Sequence, residues 1–292
     1  MLDRLELFLI LARTRHFGRA AEEAGITQPS LSAAIRQLEA QLGCVLVNRG
    51  SRFQGLTPEG ERVLDWARRL TGDVRAMKAE LRAAREGLTG RLRLAVIPTA
   101  LTTAARLSAA IASRHPGLRL TVTSASSIEI LERLDDLTLD VGLTYLDNEP
   151  LGRARTLPLY AERYVLVTRT DDAPAGPELP WAELAALNLC LLTPEMQNRR
   201  IIDGYLSEAG VTVTPQVETN STITLISHVI AGGWATILPS RAAEPFLATG
   251  PLTATPLTAP DAHHAVGLVY PPREPVPPLL KAFLAEARGF AE

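Results

Sequence analysis

Apolar positions in the first ninety residues recur at helical spacing. Leu2, Leu5, Leu9 and Ala12 mark one helix, residues 18–24 a short second one, and Gly25 stands where a helix end favours positive φ. Thr27 can cap a third helix, with Pro29 tolerated in its first turn and Leu31, Ala34, Ile35 and Leu38 along one face. Small Ala21 lies four residues before Gly25, where a close crossing of two helices excludes a larger side chain. The stretch LVNRGSRFQGLTPEG then reads as two short strands about a glycine-containing turn that carries Arg49 and Arg52. Thr57-Pro58-Glu59 opens a long helix over 58–86, on the order of 40 Å at ~1.5 Å per residue. Its apolar residues, from Val63, Ala67, Leu70, Val74, Met77 and Leu81 on to Ala84 and Leu88, alternate spacings of four and three. That narrow heptad stripe predicts a dimerisation seam, since a core helix would carry a wider one.

Beyond Gly87 and Gly90 the period changes. Strand-like RLRLAVI, LRLTVT, LDVGLT, YVLVT, NLCLL, TVTPQVE, ATILP and HAVGLVY alternate with helical patterns over 101–113, 128–134, 181–187, 196–208 and 278–287. Such alternation predicts a mostly parallel sheet with crossover helices. About 200 residues fit two α/β units better than one, and YVLVTR and HAVGLVY are the strands expected to cross between them. Ligands of open α/β sheets lie beyond the carboxyl ends of the strands. That rule selects Thr99, Ser126, Thr144 and Thr193, with Arg199 in the helix that follows Thr193. Hydroxyls and free amides at helix N-termini suit a small carboxylate-type anion, although each Ser or Thr could equally cap only its own helix.

Composition narrows the class. The 292 residues are 46% hydrophobic and 21% charged, ordinary for a soluble globular protein. No apolar run approaches the ~18–20 residues of a membrane span, and Asp3, Arg4 and Glu6 break up any secretory segment, so a cytoplasmic protein is expected. Residues 1–91 carry 15 Lys/Arg against 11 Asp/Glu and the remainder 15 against 21, so a net +4 precedes a net −6 within the overall −2. A polyanion, if bound, would meet the first third. Cys44 and Cys190, each in apolar surroundings, read as small buried hydrophobes. No metal-ligand cluster, GxSxG, HExxH, P-loop or dinucleotide fingerprint is present, and no metal, cofactor or enzymatic activity is expected. His263-His264 reads as a loop pair without chemistry.

The helix–turn–helix spacing alone also fits a purely structural helical pair. The basic strand pair that follows favours DNA: the third helix offers Gln28, Ser30, Ser32, Ala33 and Arg36 on its polar side, and glutamine and arginine pair bidentately with base edges. The run FGRAAEEAGITQPSLSAAIRQLEAQLG with LVNRGSRFQGLTPEG, and the later HPGLRLTV, LDDLTLDVGL and VIAGGWATILP, resemble the LysR-type transcriptional regulators over essentially the whole chain. The resemblance implies an α/β protein with a winged helix-turn-helix over 1–58, a linker helix over 59–90, and two Rossmann-like subdomains over 91–292, similar to periplasmic binding proteins. One subdomain would span 91–164 plus 266–292 and the other 165–265. Carried over by residue, Gln28, Pro29, Ser30, Ser32 and Arg36 would face double-stranded DNA, with Arg49 and Arg52 at the wing. Thr99, Thr102, Ser126, Thr144, Thr193 and Arg199 would surround a small, anionic effector.

Val47 departs from the family's usual aromatic residue. The family's peroxide-sensing branch uses two effector-domain cysteines where this chain has only Cys190, so thiol sensing is not expected. The implied assembly is a homotetramer, a dimer of dimers, on an interrupted palindrome near a promoter, with RNA polymerase a further candidate partner. Two alternatives stand beside it, a solute-binding protein without a DNA role and an enzyme using the cleft. The first leaves the helix-turn-helix unexplained; the second needs a titratable pair where only Arg199 and Arg200 stand.

Overall fold

Phe8, Leu11, Leu31, Ile35 and Leu38 are wholly buried in the computed structural model of the chain. The structure describes residues 1–49, 53–248 and 250–291, with the backbone alone at Arg49. It divides into two compact units: Met1–Gly87 with the short segments Asp135–Thr138 and Arg273–Pro278, and the remainder.

In the first unit three helices, α1 (Leu2–Thr14), α2 (Phe17–Glu23) and α3 (Gln28–Leu42), share one apolar core. His16 caps α2, its Nδ1 accepting from the backbone N–H of Gly18 and Arg19, and Gly25 takes φ +67° at the turn. The Thr27 hydroxyl accepts from the N–H of Ser30 and so opens α3, with Pro29 in the first turn. The antiparallel strands β1 (Val47–Arg49) and β2 (Phe53–Leu56) follow. Val47 is wholly buried, so the departure from an aromatic there is a core substitution. α4 (Pro58–Glu86) begins at a Thr57 cap. Gly60 in its first turn lies against the Leu46 carbonyl, where a Cβ would stand 2.1 Å from the oxygen. No larger residue fits there without moving backbone.

The second unit holds an eight-stranded sheet of order β4-β3-β5-β12-β6-β11-β7, with β10 also paired to β6. These are β3 (Gly90–Val96), β4 (Leu118–Ser124), β5 (Val141–Tyr145), β6 (Arg155–Arg169), β7 (Leu179–Pro180), β10 (Thr236–Pro239), β11 (Leu252–Thr258) and β12 (His263–Tyr270). The expectation of a mostly parallel sheet needs correction. β3 is parallel to β4 and β5, but β12 runs antiparallel to β5 and β6, and β10 and β11 run antiparallel to β6. The reason is the crossing itself. The fifteen-residue β6 pairs with β12 over its first part and with β10 and β11 over its second, so one strand belongs to both halves.

Helices α5 (Leu101–Arg114) and α6 (Ser127–Asp135) serve the first half. The second half carries α7 (Gln197–Glu208), α8 (Thr222–Ala231) and α9 (Ser240–Leu247), and the parallel pair β8 (Cys190–Leu192) and β9 (Val217–Thr219). α10 (Pro278–Ala287) comes last. The segment 181–186 is a 3-10 run rather than an α-helix. α9 and β11 escape the sequence reading because Pro245 and Pro256 interrupt patterns that tertiary packing holds together. His263 and His264 open β12 instead of lying in a loop.

Candidate functional site

In the first unit α3 has two chemically distinct sides. Leu31, Ile35 and Leu38 are buried, while Gln28, Pro29, Ser30 and Arg36 are exposed and Ser32 is half-buried. Arg36 has no ion-pair partner among the described residues, so its guanidinium is available to an external acceptor. The structure says nothing of the Arg49 side chain, and Arg52 lies outside the described residues.

α4 presents a second surface. Leu70 is 44% exposed, Met77 52% and Leu81 56%. Val63 and Val74 are half-buried, and Ala67 is wholly buried in its own unit's core, which removes it from any external seam. Trp66, also exposed, has the Arg69 guanidinium 4.3 Å above its ring. The heptad reading missed Trp66 because it follows one row of the helix, while four residues before Leu70 falls on the adjoining one.

In the second unit a cleft of about 690 Å³ opens between the two halves. Ser126, Ile128 and Glu129 line one side; Glu195, Met196 and Asn220–Ile223 line the other. Of the six expected effector residues only Ser126 lines it. Thr99 is buried next to Pro98, which does line the cleft, and its hydroxyl has no partner among the described residues. Thr102 is half-buried in the first turn of α5. Thr144 is buried inside β5 rather than beyond its end, and its hydroxyl also lacks a described partner. The half-buried Thr193 also has a hydroxyl without a described partner, and the backbone N–H of Glu195 holds the Glu195 carboxyl below the usual carboxylate range.

Arg199 is engaged within its own unit. Its guanidinium donates to Asp203 at 2.8 Å, to Glu218 at 2.5 Å and to the Leu192 carbonyl at 2.8 Å. Arg200 donates to both oxygens of Glu149, at 2.6 and 2.9 Å. The 220–223 stretch was legible by the same strand-end rule, since β9 runs into Asn220-Ser221 and the Ser221 hydroxyl caps α8.

Behind these residues lies a polar network that the sequence did not announce. Glu162 is 1% exposed. The Tyr145 hydroxyl donates to it at 2.8 Å, and Asn198 Nδ2 donates to Tyr145 at 3.0 Å. Tyr164 donates to the Tyr145 hydroxyl at 3.4 Å. Burial raises the Glu162 carboxyl to about 8, against a lowering pull from the tyrosine hydrogen bonds. Nearby, His264 Nδ1 lies 2.8 Å from Asp147 Oδ1, and its Nε2 lies 3.0 Å from the Tyr205 hydroxyl. No group of three or more His, Cys, Asp and Glu residues arranged to hold a metal is found among the described residues.

Residues 2–61 match the family model of the bacterial regulatory helix-turn-helix protein, lysR family, and residues 85–291 match that of the LysR substrate binding domain. The chain belongs to the LysR family of DNA-binding transcriptional regulators. Its curated relatives are regulators, not enzymes. The chain is 31% identical over 274 residues to the "DNA-binding transcriptional dual regulator OxyR" of Escherichia coli K12, covering 93% of this chain and 90% of that one. It is 29% identical over 276 residues to the "Hydrogen peroxide-inducible genes activator" of Dickeya chrysanthemi, with the same coverage. A full-length cysteine-to-aspartate variant of OxyR from Pseudomonas aeruginosa has the same fold, with a TM-score of 0.76 over 99% of this chain and 94% of that one at 24% identity. No helix among the described residues of this LysR-family chain is long and apolar enough to cross a membrane.

Proposed function

We propose that this regulator reads an interrupted palindrome near a promoter as a homodimer or homotetramer, and that a small molecule in the cleft of its second unit alters that binding. α3 enters the major groove, where Gln28 and Arg36 address base edges and Pro29, Ser30 and Ser32 lie near the strands. Arg49 and Arg52 follow the phosphate backbone from the wing. Two copies pair through Leu70, Met77 and Leu81 of α4, flanked by Trp66, Val63 and Val74. The working division is 1–58 for DNA, 59–90 for pairing and 91–292 for the effector, with RNA polymerase a further partner.

The observation that carries this reading is the two-sided α3, whose exposed Arg36 has no ion-pair partner among the described residues. Sequencing of genomic fragments captured by the purified chain at physiological salt tests it. A few sharp peaks sharing an interrupted palindrome are expected. Diffuse, salt-sensitive capture with and without candidate effectors would count against it.

The names of the relatives suggest a second reading, a response to hydrogen peroxide. Thiol oxidation proceeds from an accessible thiolate. Cys190 is wholly buried, burial pushes its thiol up to about 11, and the only other cysteine, Cys44, lies in the other unit. These observations favour an effector that binds over one that oxidises. A change in operator affinity on peroxide treatment that disappears in Cys190→Ser would reverse that preference.

A further inference from the structure

We propose that the effector of this regulator carries a cationic nitrogen on an apolar body, and is not a carboxylate. This rests on the reading of the cleft as the effector site. The residues lining the cleft include two carboxylates, Glu129 and Glu195, and no lysine or arginine among the described residues.

Two helix ends at the cleft, those of α6 and α8, are already answered from within the chain, while α5 and α7 begin there without a side-chain cap. At α6, Glu129 Oε2 accepts from the Ser126 N–H at 2.8 Å and from the Ser126 hydroxyl at 3.0 Å, a capping box that fills the N-terminus with this chain's own negative charge. At α8, the Ser221 hydroxyl accepts from the N–H of Thr224. The nearest arginines in sequence to the cleft-lining Glu195, Arg199 and Arg200, are spent on Asp203, Glu218 and Glu149. An incoming carboxylate would therefore meet two like charges and no free cation, whereas an ammonium or guanidinium head would meet two opposite charges. Leu101, Ile128, Met196 and Ile223 supply apolar wall for the rest of the molecule, and the unpartnered Thr99 hydroxyl lies beside Pro98 on the cleft's edge. The volume suits a compact metabolite.

Calorimetric titration of the full chain with hexylamine, cadaverine and 2-phenylethylamine, against hexanoate, phenylacetate and hexanol, tests the assignment. The amines should bind at millimolar concentration or tighter, and the carboxylates should not. The Glu129→Gln, Glu195→Gln double variant should weaken amine binding by about tenfold; glutamine at 129 keeps the capping pattern and so the fold. Ile223, 66% exposed on the cleft wall, gives an independent handle. Ile223→Arg should weaken the amines by about threefold, the size expected of a solvent-exposed charge.

Carboxylates that bind the unaltered chain, and bind tighter in Ile223→Arg, would overturn the cationic assignment while leaving the cleft reading intact. Binding of any probe that ignores all three substitutions would overturn the cleft reading itself. No response from any amine would overturn the proposal.

Discussion

Arg36 and Arg199 are the same residue type in two units that use it in opposite ways. Arg36 is exposed on α3 without an ion-pair partner among the described residues. Arg199 is buried to 7% exposure and donates to two carboxylates and a carbonyl. The contrast extends to their neighbours. In the first unit the core is almost entirely apolar, so the polar residues at the start of α3 are left on the surface. In the second, buried Glu162, Asn198, Thr99 and Thr144 are part of the interior. A polar residue in the first unit is thus a candidate for contact with something else. In the second it must first be shown to be free of its own chain.

The sharpest test of that contrast is Glu162→Gln. A carboxyl raised from 4.5 to about 8 in the folded chain contributes stability that is fully present below pH 4.5 and is lost as pH rises through about 8. Unaltered protein should lose about 1.4 kcal/mol per pH unit from this group across that window, and the glutamine variant should lack that slope. Denaturant titrations at several pH values measure it, and equal slopes in both proteins would show that Glu162 is not the buried acid.

Arg199→Ala should destabilise the second unit by about 2 kcal/mol, because Asp203 and Glu218 keep their charge and lose their partner while staying partly solvated. Thermal melts read it; an unchanged melting temperature would free Arg199 to be a ligand contact after all. Arg36→Ala should do the reverse, weakening operator binding by roughly 1–3 kcal/mol with stability altered by less than about 0.5 kcal/mol. Fluorescence anisotropy on a captured operator, with a melt of the same sample, separates the two. The smallest expected effect is Thr27→Ala, which removes the α3 cap and costs about 1 kcal/mol of stability. It also removes the 2.8 Å hydrogen bond between the Thr27 and Ser30 hydroxyls, so a melt paired with operator titration shows whether the cap also orients a DNA-facing side chain.

The first unit was legible because its determinants are local. The Thr27 cap, the positive φ of Gly25 and the 58–86 helix each follow from a few adjacent residues, and all three are present as expected. The second unit was legible as α/β but not in its strand directions, since no local pattern says that β6 serves both halves and must meet β10, β11 and β12 antiparallel. The surroundings of the candidate effector residues were the least legible for the same reason. The strand-end rule selected Ser126, which lines the cleft, yet could not know that Thr144 sits inside β5 or that Glu218, nineteen residues away, would pair with Arg199.

By itself, the order of residues determined the family, the helix-turn-helix and the long α4, because period, caps and turn glycines act over a few residues. Only the tertiary structure decided which charges remain available. That depends on ion pairs and burial between segments far apart in the chain, and it makes the cleft between the two halves a place of carboxylates rather than of arginines.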